Sequence, residues 1–176
     1  MEKSLNKKLW ILCGASGVGK STWINKHSNM FTGSWEIVSR DVIRFNLLKE
    51  DDEYFSKEDE VWAEFIDWIK TSLERSDNTI VDATHLNARS RMKLLRALGS
   101  SLKNITVNVI ALEAPLEWCI HNNNQREGRA YVPLSVLKRL YICYEQPEYE
   151  EGFDNIYIIK INENENNIIK KENPYG

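Results

Sequence analysis

Eight residues near the start of the chain, Gly14-Ala15-Ser16-Gly17-Val18-Gly19-Lys20-Ser21, constrain its fold more than any others. They match the pattern G-x-x-x-x-G-K-[ST] in full. An apolar run, Leu9-Trp10-Ile11-Leu12-Cys13, comes directly before them, and the residues from Lys20 to Lys26 open a helix. Strand, glycine turn and helix in that order are the context the pattern requires. Its glycines let the backbone curl so that successive N–H groups point inward at phosphate oxygens. The N-terminus of the following helix adds a positive partial charge. Lys20 is placed to reach the β- and γ-phosphates of a nucleotide, and Ser21 to offer its hydroxyl to Mg²⁺. Thr22 is the next candidate ATP contact in the same turn. Such a loop speaks for nucleotide phosphate binding, with ATP and Mg²⁺ as the expected ligands, but it does not name the acceptor.

The rest of the chain alternates strands and helices. Short apolar runs at Trp35–Ser39, Thr79–Val81, Ile105–Leu112 and Asn155–Ile161 read as strands. Val61, Phe65, Trp68, Ile69 and Leu73 recur at helical spacing, so residues Ser56–Arg75 form an amphipathic helix. Further helices cover Arg89–Leu98, stopping at Gly99, then Pro115 to about Gln125 and Pro133–Glu145, each of the last two opened by a proline. Asn162–Asn167 reads as a turn into a last strand, Ile168–Lys171, which makes 155–171 a candidate C-terminal hairpin. This alternation predicts an α/β fold, a P-loop NTPase of the kinase type: a parallel sheet with helices on both faces and a short arginine lid at about 122–132. At 176 residues, with no internal repeat or linker, the expectation is one domain over 1–176.

In such sheets ligands bind beyond the carboxyl ends of the strands, and the informative residues do follow strands. Ser39-Arg40-Asp41-Val42-Ile43-Arg44 comes after the second one. Asp41 and Arg44 are three apart and share a face if a helix starts there. A carboxylate here can take the proton of an attacking hydroxyl, and a guanidinium beside it can hold an anionic group of the acceptor. Asp82 ends the third strand, where many phosphate-loop proteins keep a carboxylate for Mg²⁺ or its waters. Spacing alone leaves open which of Asp41 and Asp82 is base and which serves metal or acceptor. Thr84, His85 and Asn87 follow; His85 reads equally as an acceptor contact or as a loop support. The polar segment Asn122–Arg129 ends a helix where a mobile lid falls, with Arg126 and Arg129 as its candidate arginines.

Charge and side-chain chemistry narrow the partners. Net charge is −3, from 23 basic and 26 acidic residues, which argues against a large footprint on duplex nucleic acid but not against a grip on one or two nucleotides. No apolar run approaches the length that spans a bilayer, and the basic start of the chain leads into a strand too short for a signal-peptide core. A cytoplasmic protein without a membrane partner is expected. Cys13, Cys119 and Cys143 show no metal or disulfide spacing and read as buried free thiols. Trp62 and Trp68 are expected to pack the long helix, and Trp23 to lie in the core.

Taken in order, Gly14–Trp23 (GASGVGKSTW), Ser39–Arg44 (SRDVIR), Ile80–Asn87 (IVDATHLN) and the Asn124–Arg129 segment resemble the kinase domain of 5′-hydroxyl polynucleotide kinases, the phage polynucleotide kinase-phosphatases and related end-healing enzymes. The resemblance runs from about Leu9 to Glu145. It implies that Asp41 is the general base on the 5′-hydroxyl and that Arg44 holds the 3′-phosphate of the acceptor's terminal nucleotide. It further implies that Lys20 and Ser21 are the ATP and Mg²⁺ ligands, and that Arg126, with Arg129 as a second basic position, closes on the donor phosphates. The implied partners are 5′-OH ends of single-stranded or nicked nucleic acid. Two departures stand out. The carboxylate of the third strand is Asp82, with Ala83 where the phage form has its acid, and His85 replaces an Asn of the bacterial pattern D-A-T-N. No D-x-D-G-T phosphatase signature accompanies the kinase motifs.

Two other readings share these motifs. A small-molecule kinase would use Arg44 on a metabolite, nucleotide or nucleotide sugar, and a closed acceptor pocket would mark it. A non-catalytic nucleotide switch would bind ATP without transferring phosphate.

Overall fold

Leu9, Ile11 and Cys13 turn to one face of the sheet and Trp10 and Leu12 to the other, and all five are buried. The strand that carries them therefore has helices on both sides, as a continuous apolar run in a parallel sheet should. The computed structural model describes residues 6–162 and 166–176. The chain start, Met1–Leu5, and the core of the turn expected over Asn162–Asn167 lie outside the described residues.

Six strands make one sheet: β1 (Lys8–Cys13), β2 (Trp35–Ser39), β3 (Asn78–Asp82), β4 (Thr106–Glu113), β5 (Asn155–Ile161) and β6 (Asn166–Lys171), in the order β2-β3-β1-β4-β5-β6. The first five are parallel; β6 returns antiparallel along β5, with Ile156 opposite Lys171. Because β1 is central and paired with both β3 and β4, the loop that follows it emerges in the middle of the carboxyl edge.

The helices are α1 (Lys20–Lys26), α2 (Arg40–Leu47), α3 (Glu58–Arg75), α4 (Ala88–Leu98), α5 (Leu116–Asn124) and α6 (Leu134–Ile142). Helices α2, α3 and α4 cover one face with Ile43, Val61, Phe65, Ile69, Leu73, Leu94 and Leu98. Helices α1, α5 and α6 cover the other with Trp23, Ile24, Cys119 and Leu137. Three glutamate or aspartate residues, Glu58, Asp59 and Glu60, fill the first turn of α3, where the helix dipole favours negative charge. Asn87 and Ser90 form a reciprocal capping box at the start of α4.

The expected boundaries shift by a few residues. Helix α6 stops at Ile142 rather than Glu145; the Glu145 N–H bonds the Leu86 carbonyl, at 2.7 Å, instead of continuing the helical ladder. Two side chains also differ from expectation. Trp68 lies at one edge of the apolar stripe of α3 and is 40% exposed, and Cys143, at the end of α6, is exposed rather than buried. Trp23, Cys13 and Cys119 are buried, and Trp62 is partly covered at the margin of the core. Among the described residues, no helix is long and apolar enough to cross a membrane.

Candidate active site

The loop between β1 and α1 is held from two sides, by the segment after β3 and by α5. The Gly14 N–H donates to the Thr84 carbonyl at 3.0 Å, which ties the loop to the segment after β3. Asn122 on α5 donates its side-chain amide to the Gly17 carbonyl at 2.8 Å. Gly17 has φ 81°, and a Cβ there would stand 2.4 Å from the Cys119 carbonyl oxygen. Only glycine fits both the left-handed backbone and that close approach. Gly17→Ala is expected to lower stability by more than about 1 kcal/mol and to weaken nucleotide binding; denaturant unfolding and nucleotide titration check the two effects.

Lys20, at the first position of α1, folds its ammonium back onto the loop and donates to the carbonyls of Gly14 (3.0 Å) and Ala15 (3.2 Å). Burial pulls its pKa below the ordinary lysine value, with the Asp82 charge opposing the shift. Across the loop, the Ser21 hydroxyl donates to Asp82 Oδ2 at 3.3 Å. Asp82 is pushed up from its ordinary value, first by burial; the Lys20 charge opposes this, and the nearby Asp41 adds to it. A serine hydroxyl and a carboxylate oxygen side by side are hard donors that fit Mg²⁺, which usually takes few protein ligands and completes its shell with water and phosphate. Among the described residues no group of three His, Cys, Asp or Glu converges into a metal cage. Ala15 and Val18 also line a cavity of about 190 Å³ with Leu112, Glu113, Ala114, Tyr141 and Tyr144. Ser16 is half-buried in the loop, and Thr22 is exposed on the first turn of α1.

Asp41 and Arg44 share one face of α2, whose N-cap is Ser39. Arg44 Nη1 donates to Asp41 Oδ1 at 2.5 Å. The rest of the guanidinium forks onto Glu58, with Nε to Oε1 at 2.7 Å and Nη2 to Oε2 at 3.2 Å. Tyr54 closes the group: its hydroxyl lies 3.3 Å from Asp41 Oδ1 and 3.2 Å from Arg44 Nη1, and its ring lies under the guanidinium, 4.8 Å from Cζ to centroid. The Arg44 side chain is 7% exposed and Asp41 65%. Arg44 is thus a clamped cation that presents an exposed carboxylate. Phe45, Phe55 and Val42 are exposed around the same spot. Glu58 and Tyr54 carry no motif; their pairing with Arg44 is set by how α3 and the loop before it fold onto α2.

The residues after β3 behave differently. Thr84 offers its backbone carbonyl to the phosphate loop. His85 is buried, holds φ 43°, and donates from Nδ1 to the Leu12 carbonyl at 2.9 Å. Of its two sequence readings, this is the loop support; the ring is not presented to the acceptor side. Arg91, fully buried in α4, locks the same segment. It forks onto Glu151 at 2.7 and 2.8 Å and donates from Nη1 to the carbonyls of His85 (3.0 Å) and Glu145 (2.9 Å). The Cys13 thiol, pushed up to about 11 by burial, donates to the His85 carbonyl as well.

Burial pulls the His85 pKa down to about 4, from 6.5. The unfolded chain therefore takes up a proton near pH 6.5 that the folded chain refuses until about pH 4. Stability associated with neutral His85 is full above pH 6.5 and is lost as pH falls toward 4, by about 3 kcal/mol. Asparagine tolerates the same backbone and keeps a donor, so His85→Asn should flatten the stability profile in that window. Unfolding measured at several pH values reads the difference.

The two arginines of the expected lid part company. Arg126 is exposed, its guanidinium has no hydrogen-bond or ion-pair partner among the described residues, and its charge acts on both Lys20 and Asp82. Arg129 reaches the other way, donating to the carbonyls of Lys49 (3.0 Å), Glu50 (2.8 Å) and Asp52 (3.2 Å). It ties the segment after α5 to the loop after α2 rather than standing over the phosphate loop.

Residues 9–147 fit the family model described as an AAA domain. The chain belongs to that AAA domain family. No curated protein matches it in sequence. Among solved structures, this AAA domain is similar to a chain of the Pnkp1/Rnl/Hen1 RNA repair complex, with TM-score 0.66 and 21% identity, over 78% of this chain and 43% of that one. It is also similar to a sugar kinase from Janibacter sp. (TM-score 0.61, 18% identity, 88% of this chain and 85% of that one). A third likeness is to Chaetomium thermophilum Kti12 in complex with ADP-AlF3 (TM-score 0.63, 15% identity, 89% and 91%). The AAA domain spans less than half the length of the RNA repair chain it matches. These likenesses establish the α/β phosphate-loop fold with helices on both faces, and at such identities the fold alone.

Proposed function

We propose that this AAA domain, read as one unit over 1–176, is an ATP-dependent kinase that transfers the γ-phosphate to the 5′-hydroxyl end of single-stranded or nicked RNA or DNA. The observation that carries the reading is Asp41: a 65% exposed carboxylate, fixed by Arg44 at the carboxyl edge of the sheet. Its charge acts on both Lys20 and Asp82, the residues facing the phosphate loop. The surroundings are open and aromatic, with Phe55 69% exposed, which suits the terminal nucleotide of a strand better than a small enclosed metabolite.

In the proposed reaction Asp41 accepts the proton of the 5′-hydroxyl as that oxygen forms a bond to the γ-phosphorus. The bond from the γ-phosphorus to the bridging oxygen breaks in line, and ADP leaves with the electron pair. The loop N–H groups and Lys20 hold the phosphates, and Arg126 turns inward over the transferring group. Ser21 and Asp82 would hold Mg²⁺, which supplies neutralising charge to the phosphate oxygens. Arg44 has a second role open to it: an acceptor phosphate can replace Asp41 on Nη1 without disturbing the fork to Glu58. Most of the rate gain comes from positioning and charge, as in other phosphoryl transfers.

The sugar kinase from Janibacter sp. supports a second reading, because this chain covers 85% of it against 43% of the RNA repair chain. One experiment separates the two. With γ-labelled ATP, Mg²⁺ and a short 5′-OH oligonucleotide, label is expected at the 5′ end and is expected to vanish in Lys20→Ala. Label that appears only in a sugar or other metabolite screen would transfer the assignment to a small-molecule kinase.

A further inference from the structure

Helix α4 carries four basic residues and no acidic one. Arg91 is buried and paired with Glu151. The other three, Arg89, Lys93 and Arg96, are exposed, and among the described residues none of them has a hydrogen bond or an ion pair with a carboxylate. They stand four and three residues apart, so they line one side of the helix over about 10 Å. On the neighbouring helix α3, the carboxylate of Glu58 is held by Arg44 and Arg40, and among the described residues no α3 carboxylate is ion-paired with the three cations. For a chain of net charge −3 this is an uncompensated stripe.

The stripe is continuous with the candidate acceptor site. Trp62, on α3, has the Arg40 guanidinium 5.5 Å and the Lys93 ammonium 4.5 Å from its ring centroid. Arg40 is the residue before Asp41. One indole thus joins the carboxylate proposed as base to the cations of α4. The first turn of α4, with Arg89, follows Asp82 by only the loop 83–87, and the stripe runs on along α4 from there.

Resting on the proposed function, we infer that Arg89, Lys93 and Arg96, joined to the site through Trp62 and Arg40, form a track for the phosphodiester backbone of a single-stranded acceptor beyond its terminal nucleotide. A row of unpaired cations leading away from an exposed base has no use for a neutral sugar or a mononucleotide. It matches a polyanion that enters the site by one end. Affinity on such a track rises with acceptor length up to a few nucleotides and falls with salt through counterion release.

Two measurements test this and keep it distinct from the parent reading. The first is fluorescence anisotropy of a labelled 5′-OH single-stranded 10-mer with the full chain and with the triple variant Arg89→Ala/Lys93→Ala/Arg96→Ala, across a salt series. All three side chains are exposed, so the variant keeps its fold, which its melting curve verifies. The variant is expected to bind at least about tenfold more weakly at low salt, with a log–log salt slope shallower by about 2, since each single-strand phosphate contact contributes about 0.7. Equal affinity and equal slope for the two proteins, or no binding by either, would overturn the track. The second is phosphate transfer to the 10-mer and to a nucleoside 3′-monophosphate. The variant should raise KM for the 10-mer and leave it unchanged for the mononucleotide; an equal rise for both would overturn the track. Transfer to neither acceptor by the unaltered chain, with the anisotropy difference intact, would remove the kinase reading and leave a strand-binding face.

Discussion

Asp41→Asn should cut phosphate transfer to a 5′-OH acceptor by about 10²- to 10⁴-fold, the usual contribution of a general base, while ATP affinity stays nearly unchanged. The substitution keeps the size of the side chain and an oxygen to accept from Arg44 Nη1, so the clamp on Glu58 and Tyr54 remains assembled. What it removes is the ability to hold the hydroxyl proton. Single-turnover transfer and nucleotide titration, run on the same preparation, read the two quantities apart. A parallel loss of ATP affinity would show that Asp41 serves the metal or the loop, and the role of base would pass to Asp82. Arg44→Ala makes a useful companion, because it frees Asp41 and leaves Glu58 with Arg40 as its one remaining cation; its effect should include stability as well as acceptor KM.

The second large effect concerns a residue far from any phosphate. Arg91→Leu should destabilise the fold by about 3–5 kcal/mol, the range for breaking a buried ion pair from one side. Its side chain is fully buried, and its partner Glu151 is 5% exposed, so the carboxylate would be left uncompensated. The carbonyls of His85 and Glu145 would lose a charged donor at the same time. Arg91→Lys should not recover the loss, because an ammonium cannot fork onto Glu151. Arg91→Leu/Glu151→Leu should recover much of it, since removing both charges leaves an apolar pair. Denaturant unfolding of the three variants decides; a loss below about 1 kcal/mol for Arg91→Leu would mean that water replaces the pair at little cost.

These two residues mark the limits of reading the sequence. The loop at Gly14–Ser21, the strand ending in Asp82 and the pair Asp41 and Arg44 are legible because each rests on local spacing: a turn, a strand end, one helical face. Burial on both faces of β1 is likewise written in an unbroken apolar run. Glu58 and Tyr54 are not legible, although they complete the Arg44 clamp, since only the fold-back of α3 and the loop before it against α2 brings them there. Arg91 and Glu151 lie 60 positions apart, and nothing in either neighbourhood announces the other. Arg129 shows the converse case. Its place beside Arg126 in a polar segment suggests a phosphate ligand, but the short helical turn at Gly128–Ala130 directs it to the loop at 49–52. Net charge also conceals pattern: the overall value of −3 gives no hint that α4 carries no acid.

The central position of β1 bears on how the chain matures during synthesis. Its two partners, β3 and β4, begin at Asn78 and Thr106, and the Arg91 network that locks the segment after β3 needs Glu145 and Glu151. While a ribosome is still adding those residues, Leu9–Cys13 has neither neighbour to pair with and stays an uncovered apolar strand. Long-range pairing of this kind is slow to form, and unpaired strands invite association with other chains. Leu9–Cys13 thus precedes both of its partners in the chain and is secured only after the later of them is made, so until then it is an apolar strand open to the wrong neighbour.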